Sequence, residues 1–149
     1  MNCLISSDNM LITYQLLPPI KSPLVNKYYK SHRVSSSAAS NNVIMVARDN
    51  NDIVGVARLA PINSDWFLTG VHVDEQYRNA GIAGELINFL AKQQSVIYSF
   101  PYQHLVTFYQ RLGFELVTPD SLPCELAQRF NAYVKQGREI VVMIRKNKQ

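Results

Sequence analysis

Arg78, Gly81, Ala83 and Gly84 crowd into one short stretch of the run Val71-His-Val-Asp-Glu-Gln-Tyr-Arg-Asn-Ala-Gly-Ile-Ala-Gly-Glu-Leu-Ile87. Glycines flanked by alanines let backbone amides come close to an anion. The amides that open a helix have no partner within it, and the helix dipole adds partial positive charge at that end. Arg78, three residues ahead of Gly81, can add charge-assisted contacts to the same anion. The chemistry on offer is the holding of a diphosphate. It requires a strand ending near Val73, a short turn, and an amphipathic helix from Gly81 to about Gln94, with Ile82, Leu86, Ile87 and Leu90 along its apolar stripe and Glu85, Asn88 and Lys92 outside.

The common nucleotide loops do not fit. No Gly-Lys-Ser/Thr stands at the helix start, and no Gly-x-Gly-x-x-Gly is present in this stretch. The pattern that does fit is Arg-x-x-Gly-x-Ala/Gly, at Arg78, Gly81 and Ala83, and a second pattern follows in Phe108-Tyr-Gln-Arg-Leu-Gly-Phe114. In this order the two resemble the coenzyme A diphosphate loop and the Phe-Tyr-x-x-x-Gly-Phe signature of the GNAT superfamily of acetyl-CoA-dependent N-acetyltransferases. The resemblance covers about Val43 to Leu116.

That resemblance implies an α/β (α+β mixed sheet) fold: a central mixed sheet of about six to seven strands, helices on both faces, and a splayed parallel pair. It implies acetyl-CoA as co-substrate, no metal, and direct transfer of the acetyl group to a primary amine in a ternary complex. The backbone of Val71, His72 and Val73 would hold the pantetheine arm, and Arg78, Asn79, Ala80, Gly81, Ile82, Ala83 and Gly84 the diphosphate. Tyr109 aligns with the family's tyrosine that protonates the coenzyme sulfur, a role suited to a phenol whose ordinary pKa of ~10 exceeds a thiol's ~8.5. On the residues alone, Tyr109 is a helix residue packed beside Phe108.

For the base, His104 stands at the start of the helix that carries Tyr109, with His72, Asp74 and Glu75 as alternatives, because an imidazole titrates near neutral pH. Acceptor recognition points to Tyr29, His32 and Arg33, with Tyr28 and Lys30 beside them and Arg129 and Tyr133 further on, groups suited to a carboxylate or a ring. The acceptor is expected to be a small-molecule or peptide amine. A non-catalytic acyl-CoA-binding module is the alternative reading.

Composition bounds the rest. At 149 residues the chain fits one domain, 1–149, able to bury a core without disulfides or metal. Cys3 and Cys124 belong to no Cys-x-x-Cys pair and read as free thiols of a reducing compartment. No basic leader with an apolar run and no window of ~18 apolar residues is present, so the expectation is cytoplasmic with no membrane partner. The formal charge of +4 is dispersed, with clusters only at Lys27 to Arg33 and Arg145 to Lys148, which argues for no nucleic-acid partner and for attraction of an anionic ligand. A homodimer is compatible with the resemblance.

Along the chain, Leu11 to Leu17 reads as a strand cut off by Pro18 and Pro19. Pro23 opens a helix with Leu24, Tyr28 and, as a further candidate, Tyr29 sharing a face, and Lys27 and Lys30 pointing away. Ser35 to Asn42 reads as a loop. Val43 to Arg48 and Ile53 to Leu59 form a hairpin around Asp49-Asn-Asn-Asp52, and Trp66 to Val73 a further strand. Val96 to Phe100 is a buried strand beside the one ending at Val73, a right-handed crossover, and His104 to Leu112 a helix stopped by Gly113. After a strand from Phe114 to Val117, the stretch from 118 to 138 departs from the family's short turn and carries a helix near Pro123 to Val134, before Ile140 to Ile144 closes the sheet.

Overall fold

The computed structural model describes residues 11–147. Seven strands form one mixed sheet in the order β1-β2-β3-β4-β5-β7-β6, where β1 is Ile12–Leu17, β2 Val43–Asp49, β3 Asp52–Ile62, β4 Asp65–Val73, β5 Val96–Ser99, β6 Glu115–Val117 and β7 Val142–Lys146. Four helices accompany them: α1 (Ser22–Ser31), α2 (Ile82–Ala91), α3 (Val106–Arg111) and α4 (Cys124–Lys135). This is the mixed sheet with one parallel pair expected from the sequence. The described residues divide into two compact units, 11–60 with 69–90 and 61–68 with 91–147, and β4 contributes to both.

In the first unit, β1 and β3 flank β2 in antiparallel ladders, and a register shift falls between Ala47 and Arg48. Asn50, left-handed at φ 56°, makes the tight turn between β2 and β3, as Asn can at small cost. The sheet is covered on both faces, which its sequence pattern reflects in near-continuous apolar runs rather than alternation. Val25, Tyr28 and Tyr29 of α1 pack with Leu17, Ile44, Val46 and Val56. On the opposite side, a side chain at Gly55 would meet Leu86 and Ile82 of α2 at 3.1 and 3.2 Å, so glycine there permits close approach of helix to sheet. Of the face expected for α1, Tyr28 and Tyr29 are buried, but Leu24 is exposed and Val25 fills the core in its place.

The loop expected at 35–42 is tied down by polar contacts. The Asn26 side chain donates to Ala38 O and accepts from Ala38 N at 3.1 and 2.7 Å, and Ala38 and Asn42 are buried.

In the second unit, β4 and β5 run parallel through Phe67 opposite Tyr98 and Leu68 opposite Ser99. β7 lies between β5 and β6, antiparallel to each. Leu126 and Phe130 of α4 pack on Ile62, Phe67, Ile140 and Val142, so the helix between the last two strands covers a sheet face. Arg145 closes the other side by donating to Leu112 O at 3.0 Å and to Ala91 O at 3.3 Å. Cys124 is an exposed free thiol, whereas Cys3 lies outside the described residues. Among the described residues no helix is long and apolar enough to cross a membrane.

Candidate active site

In the first unit, the residues expected to hold an anion form a bent turn between β4 and α2. Asp74 accepts from the amide of Gln76 at 3.0 Å and starts a single turn of 3-10 helix, Glu75–Tyr77. Asn79 (φ 66°) and Gly81 (φ 79°) are both left-handed, one on each side of Ala80. Two left-handed residues so close together bend the chain sharply between β4 and α2. Nothing lies within 4 Å of where a Gly81 Cβ would project, so the residue is fixed by its φ and not by crowding. Residues 78–81 are exposed, Ile82 is buried beneath them, and Glu85 N donating to Gly81 O at 3.1 Å begins the helical ladder. Exposed backbone at a helix start carries the amide donors that an anion needs.

Arg78 does more than was expected of it. Its Nε donates to Val73 O at 3.0 Å, and its Nη2 lies 3.4 Å from His72 Nε2, so the guanidinium folds back over the end of β4. His72 Nδ1 is 2.9 Å from the Tyr28 hydroxyl, which in turn lies 3.3 Å from Val54 O. Donors and acceptors are all matched when Arg78 donates to Nε2, Nδ1–H donates to Tyr28, and Tyr28 donates to Val54 O. Burial, the Arg78 charge and His32 together lower the His72 pKa, Asp74 pulling the other way, which favours this neutral ring. Burial pushes the Tyr28 phenol well up.

His32 stacks on Tyr28 with ring centroids 4.1 Å apart. Its Nε2 is 3.3 Å from Asp74 Oδ2, and its Nδ1 is 2.9 Å from Tyr28 O. Burial alone would raise the Asp74 pKa, but the Gln76 amide and His32 outweigh it and hold the carboxyl below its ordinary value. These groups line an open cleft of about 560 Å³, with Lys27, Asp52 and Tyr77 on its rim. Tyr77 donates to Asp49 at 2.6 Å, and its pKa is pushed up to about 12 chiefly by that bond.

Tyr29 was expected at the acceptor, but it is 1% exposed. Its hydroxyl donates to Gly70 O at 2.6 Å and accepts from Arg58 Nε at 3.0 Å. It is therefore a core residue, since a ring buried on all sides cannot touch an acceptor. Arg33 is exposed and left-handed at φ 58°, ending the turn after α1. Sequence reasoning misses Gly70 and Arg58, although both carry a signal: a glycine inside the Trp66 to Val73 strand, and one charged residue inside the apolar run Ile53 to Leu59.

In the second unit, Tyr109 of α3 is buried with its ring edge-on to Phe108 and Phe114 at 5.3 and 5.4 Å. Burial raises its pKa, offset in part by a hydrogen bond to Ser99 at the end of β5, so the phenol holds its proton at neutral pH. His104 sits in the exposed turn Gln103–Leu105, stacked with Tyr102 at 6.1 Å beside an open cleft of about 610 Å³ that also involves Gln103, Gly137 and Glu139. Tyr133 and Arg129 of α4 are linked, Arg129 Nη1 donating to the Tyr133 hydroxyl at 3.2 Å. Among the described residues no group of three or more His, Cys, Asp or Glu is arranged to hold a metal ion.

A profile of the acetyltransferase (GNAT) domain matches residues 40–116. Solved structures share the fold at low sequence identity. N-acetylglutamate synthase from Neisseria gonorrhoeae, complexed with coenzyme A and N-acetyl-glutamate, superposes with TM-score 0.66 and 13% identity over 93% of this chain, which spans only 36% of that protein's length. The ribosomal-protein-S18-alanine N-acetyltransferase from Escherichia coli gives TM-score 0.65 and 15% identity, covering 93% of this chain and 96% of that one. PaiA N-acetyltransferase from Thermoplasma acidophilum, in complex with coenzyme A, gives 0.61 and 11%, covering 93% and 100%. No curated protein matches the chain in sequence.

Proposed function

The chain belongs to the GNAT acetyltransferase family, and we propose that it transfers the acetyl group of acetyl-CoA to a primary amine by direct attack in a ternary complex. The observation that carries this reading is the pair of left-handed residues, Asn79 and Gly81, opening α2 at the end of β4. Their amides, with those of Ala80 and Ile82 to Gly84, would hold the diphosphate, and the backbone of Val71 to Val73 the pantetheine arm. Arg78 contributes in two ways: it braces the end of β4 through Val73 O, and it adds positive charge next to the turn. The Thermoplasma acidophilum neighbour, solved in complex with coenzyme A, supports coenzyme A as the class of ligand.

Acetyl-CoA supplies the activated acyl group as a thioester. The chain must supply a proton for the departing thiolate and remove one from the amine. Tyr109 is the proposed acid. Its raised pKa keeps the phenol protonated, and the Ser99 bond fixes the hydroxyl. His104, exposed at the entrance to α3, is the proposed base for the acceptor ammonium, and substitution by Gln should then lower kcat with little change in acetyl-CoA binding. His32 and Arg33 are the proposed acceptor contacts that remain once Tyr29 is assigned to the core. The acceptor itself is proposed as a small-molecule or peptide amine.

Calorimetric titration with acetyl-CoA, beside 3′-phosphoadenosine 5′-diphosphate, which keeps the diphosphate but lacks the arm, tests the reading first. Saturable binding that needs the arm, followed by thiol release on adding amines, supports a transferase. Binding without release to any amine favours an acyl-CoA-binding module, and absence of binding by folded protein rejects the cradle.

A further inference from the structure

One residue before the proposed pantetheine strand, Gly70 is left-handed at φ 66° in the middle of β4. Its carbonyl accepts the Tyr29 hydroxyl proton at 2.6 Å. The same hydroxyl receives Arg58 Nε–H at 3.0 Å, and the rest of the guanidinium is spent on Asn42 Oδ1 at 2.5 Å and Ser36 Oγ at 2.6 Å. Tyr29 and Arg58 are 1% and 4% exposed. Every partner of this buried cation is a neutral oxygen, and among the described residues no carboxylate pairs with it. A desolvated guanidinium without a counter-ion is expensive, and an apolar side chain of similar volume would serve a purely structural core at least as well.

The peptide unit offers a reason to keep it. The Gly70 carbonyl and the Val71 N–H belong to one planar trans peptide and point in opposite directions. A hydroxyl that pins the carbonyl toward α1 therefore aims the Val71 amide away from α1. Glycine at φ 66° lacks the steric walls that hold other residues, so without that bond the peptide plane would be free to swing. Burial pushes the Tyr29 phenol up, against the pull of Arg58, which keeps its proton available to the carbonyl. Ser36 and Asn42, through Arg58, tie the loop between α1 and β2 to the same point.

We infer that Tyr29 and Arg58 are positioning residues that set the direction of the Val71 amide, and with it the part of β4 that takes the pantetheine arm. This rests on the coenzyme reading above and adds to it a buried relay from the α1–β2 loop.

The test compares wild type, Tyr29→Phe and Arg58→Lys by calorimetry with two ligands, acetyl-CoA and 3′-phosphoadenosine 5′-diphosphate, which keeps the diphosphate and lacks the arm, well below each protein's melting temperature. Tyr29→Phe keeps the ring and removes only the hydroxyl. It should weaken acetyl-CoA binding about tenfold and leave the armless nucleotide within about twofold. Arg58→Lys, which keeps the charge but loses the fork, should show the same selectivity with a smaller loss, and it carries the test if Tyr29→Phe does not fold. Equal weakening of both ligands, or no change in either, would mark an ordinary core network and overturn the inference. A wild type that binds both ligands alike defeats the pantetheine assignment itself, and the relay with it.

Discussion

Tyr109 and His72 show how burial selects a protonation state. A phenol whose pKa is raised by burial is a poor base and a reliable acid at neutral pH, the state required of a proton donor to a thiolate. Tyr109→Phe should lower kcat about 100-fold with little change in the acetyl-CoA dissociation constant, as read from steady-state kinetics beside calorimetry. Unchanged turnover would remove Tyr109 from the reaction. His72 works in the other direction. Its pKa is lowered by burial, Arg78 and His32, so the folded state prefers the neutral ring. The unfolded chain takes up its proton first as pH falls, so the stability due to His72 is present above its ordinary pKa of 6.5 and is lost as pH falls through the lower folded value. Protonation at Nε2 would also set two cations 3.4 Å apart and loosen Arg78 from β4. Melting temperature should therefore fall more between pH 7.5 and pH 5.5 in the wild type than in His72→Gln, in which that position no longer titrates. Parallel falls would assign the acid sensitivity elsewhere.

At the scale of elements, β4 is a strand with a deliberate break. A Cβ at Gly70 would lie 2.8 and 2.9 Å from Arg58 Nε and Nη2, and closer still to the Tyr29 hydroxyl, in a backbone conformation that resists side chains. Gly70→Ala should cost about 3 kcal/mol in denaturant unfolding. A loss near zero would mean that β4 can straighten at that point. This break was not legible in the sequence, because one glycine among strand formers does not say which φ it takes. The order of elements was legible, because Gly81, Gly113 and the prolines at 18, 19, 23, 101 and 123 punctuate apolar runs of the right lengths, whereas Pro61 lies inside β3. The turn before α2 was legible as a turn because Gly81 and the small residues around it mark a helix start, and Asn79 and Gly81 are left-handed there. Tyr29 was misread for the converse reason. In Tyr28-Tyr29 both rings turn inward, and only the partners supplied by β3 and β4 distinguish a buried relay from an exposed aromatic pair. The α1 register failed similarly, Val25 taking the place expected of Leu24 because the packing surface of Ile44, Val46 and Val56 decides which helix face is buried.

Over the whole molecule, the formal charge of +4 is spread over many residues, so it acts on an anionic ligand through the summed field as well as through contacts. A basic protein that binds nucleic acid needs its charge concentrated enough to displace many counterions, whereas one that binds a single coenzyme needs only a favourable approach and a few close donors. These demands give different salt responses. Raising sodium chloride from ~50 to ~500 mM shortens the screening length from about 14 Å to about 4 Å, which removes the distant charges from play and leaves the cradle's own amides nearly unaffected. Acetyl-CoA binding should therefore weaken only several-fold over that range, mostly through a slower association rate. Arg78→Gln should show weaker binding and a shallower salt dependence, since it removes the charge beside the turn while sparing the amides. Stopped-flow association and calorimetry at both salt concentrations separate the two contributions. A loss of a thousandfold or more, or salt-sensitive binding of a DNA duplex without coenzyme, would mean that the dispersed charge serves a polyanion and that the diphosphate turn is not the main anion site.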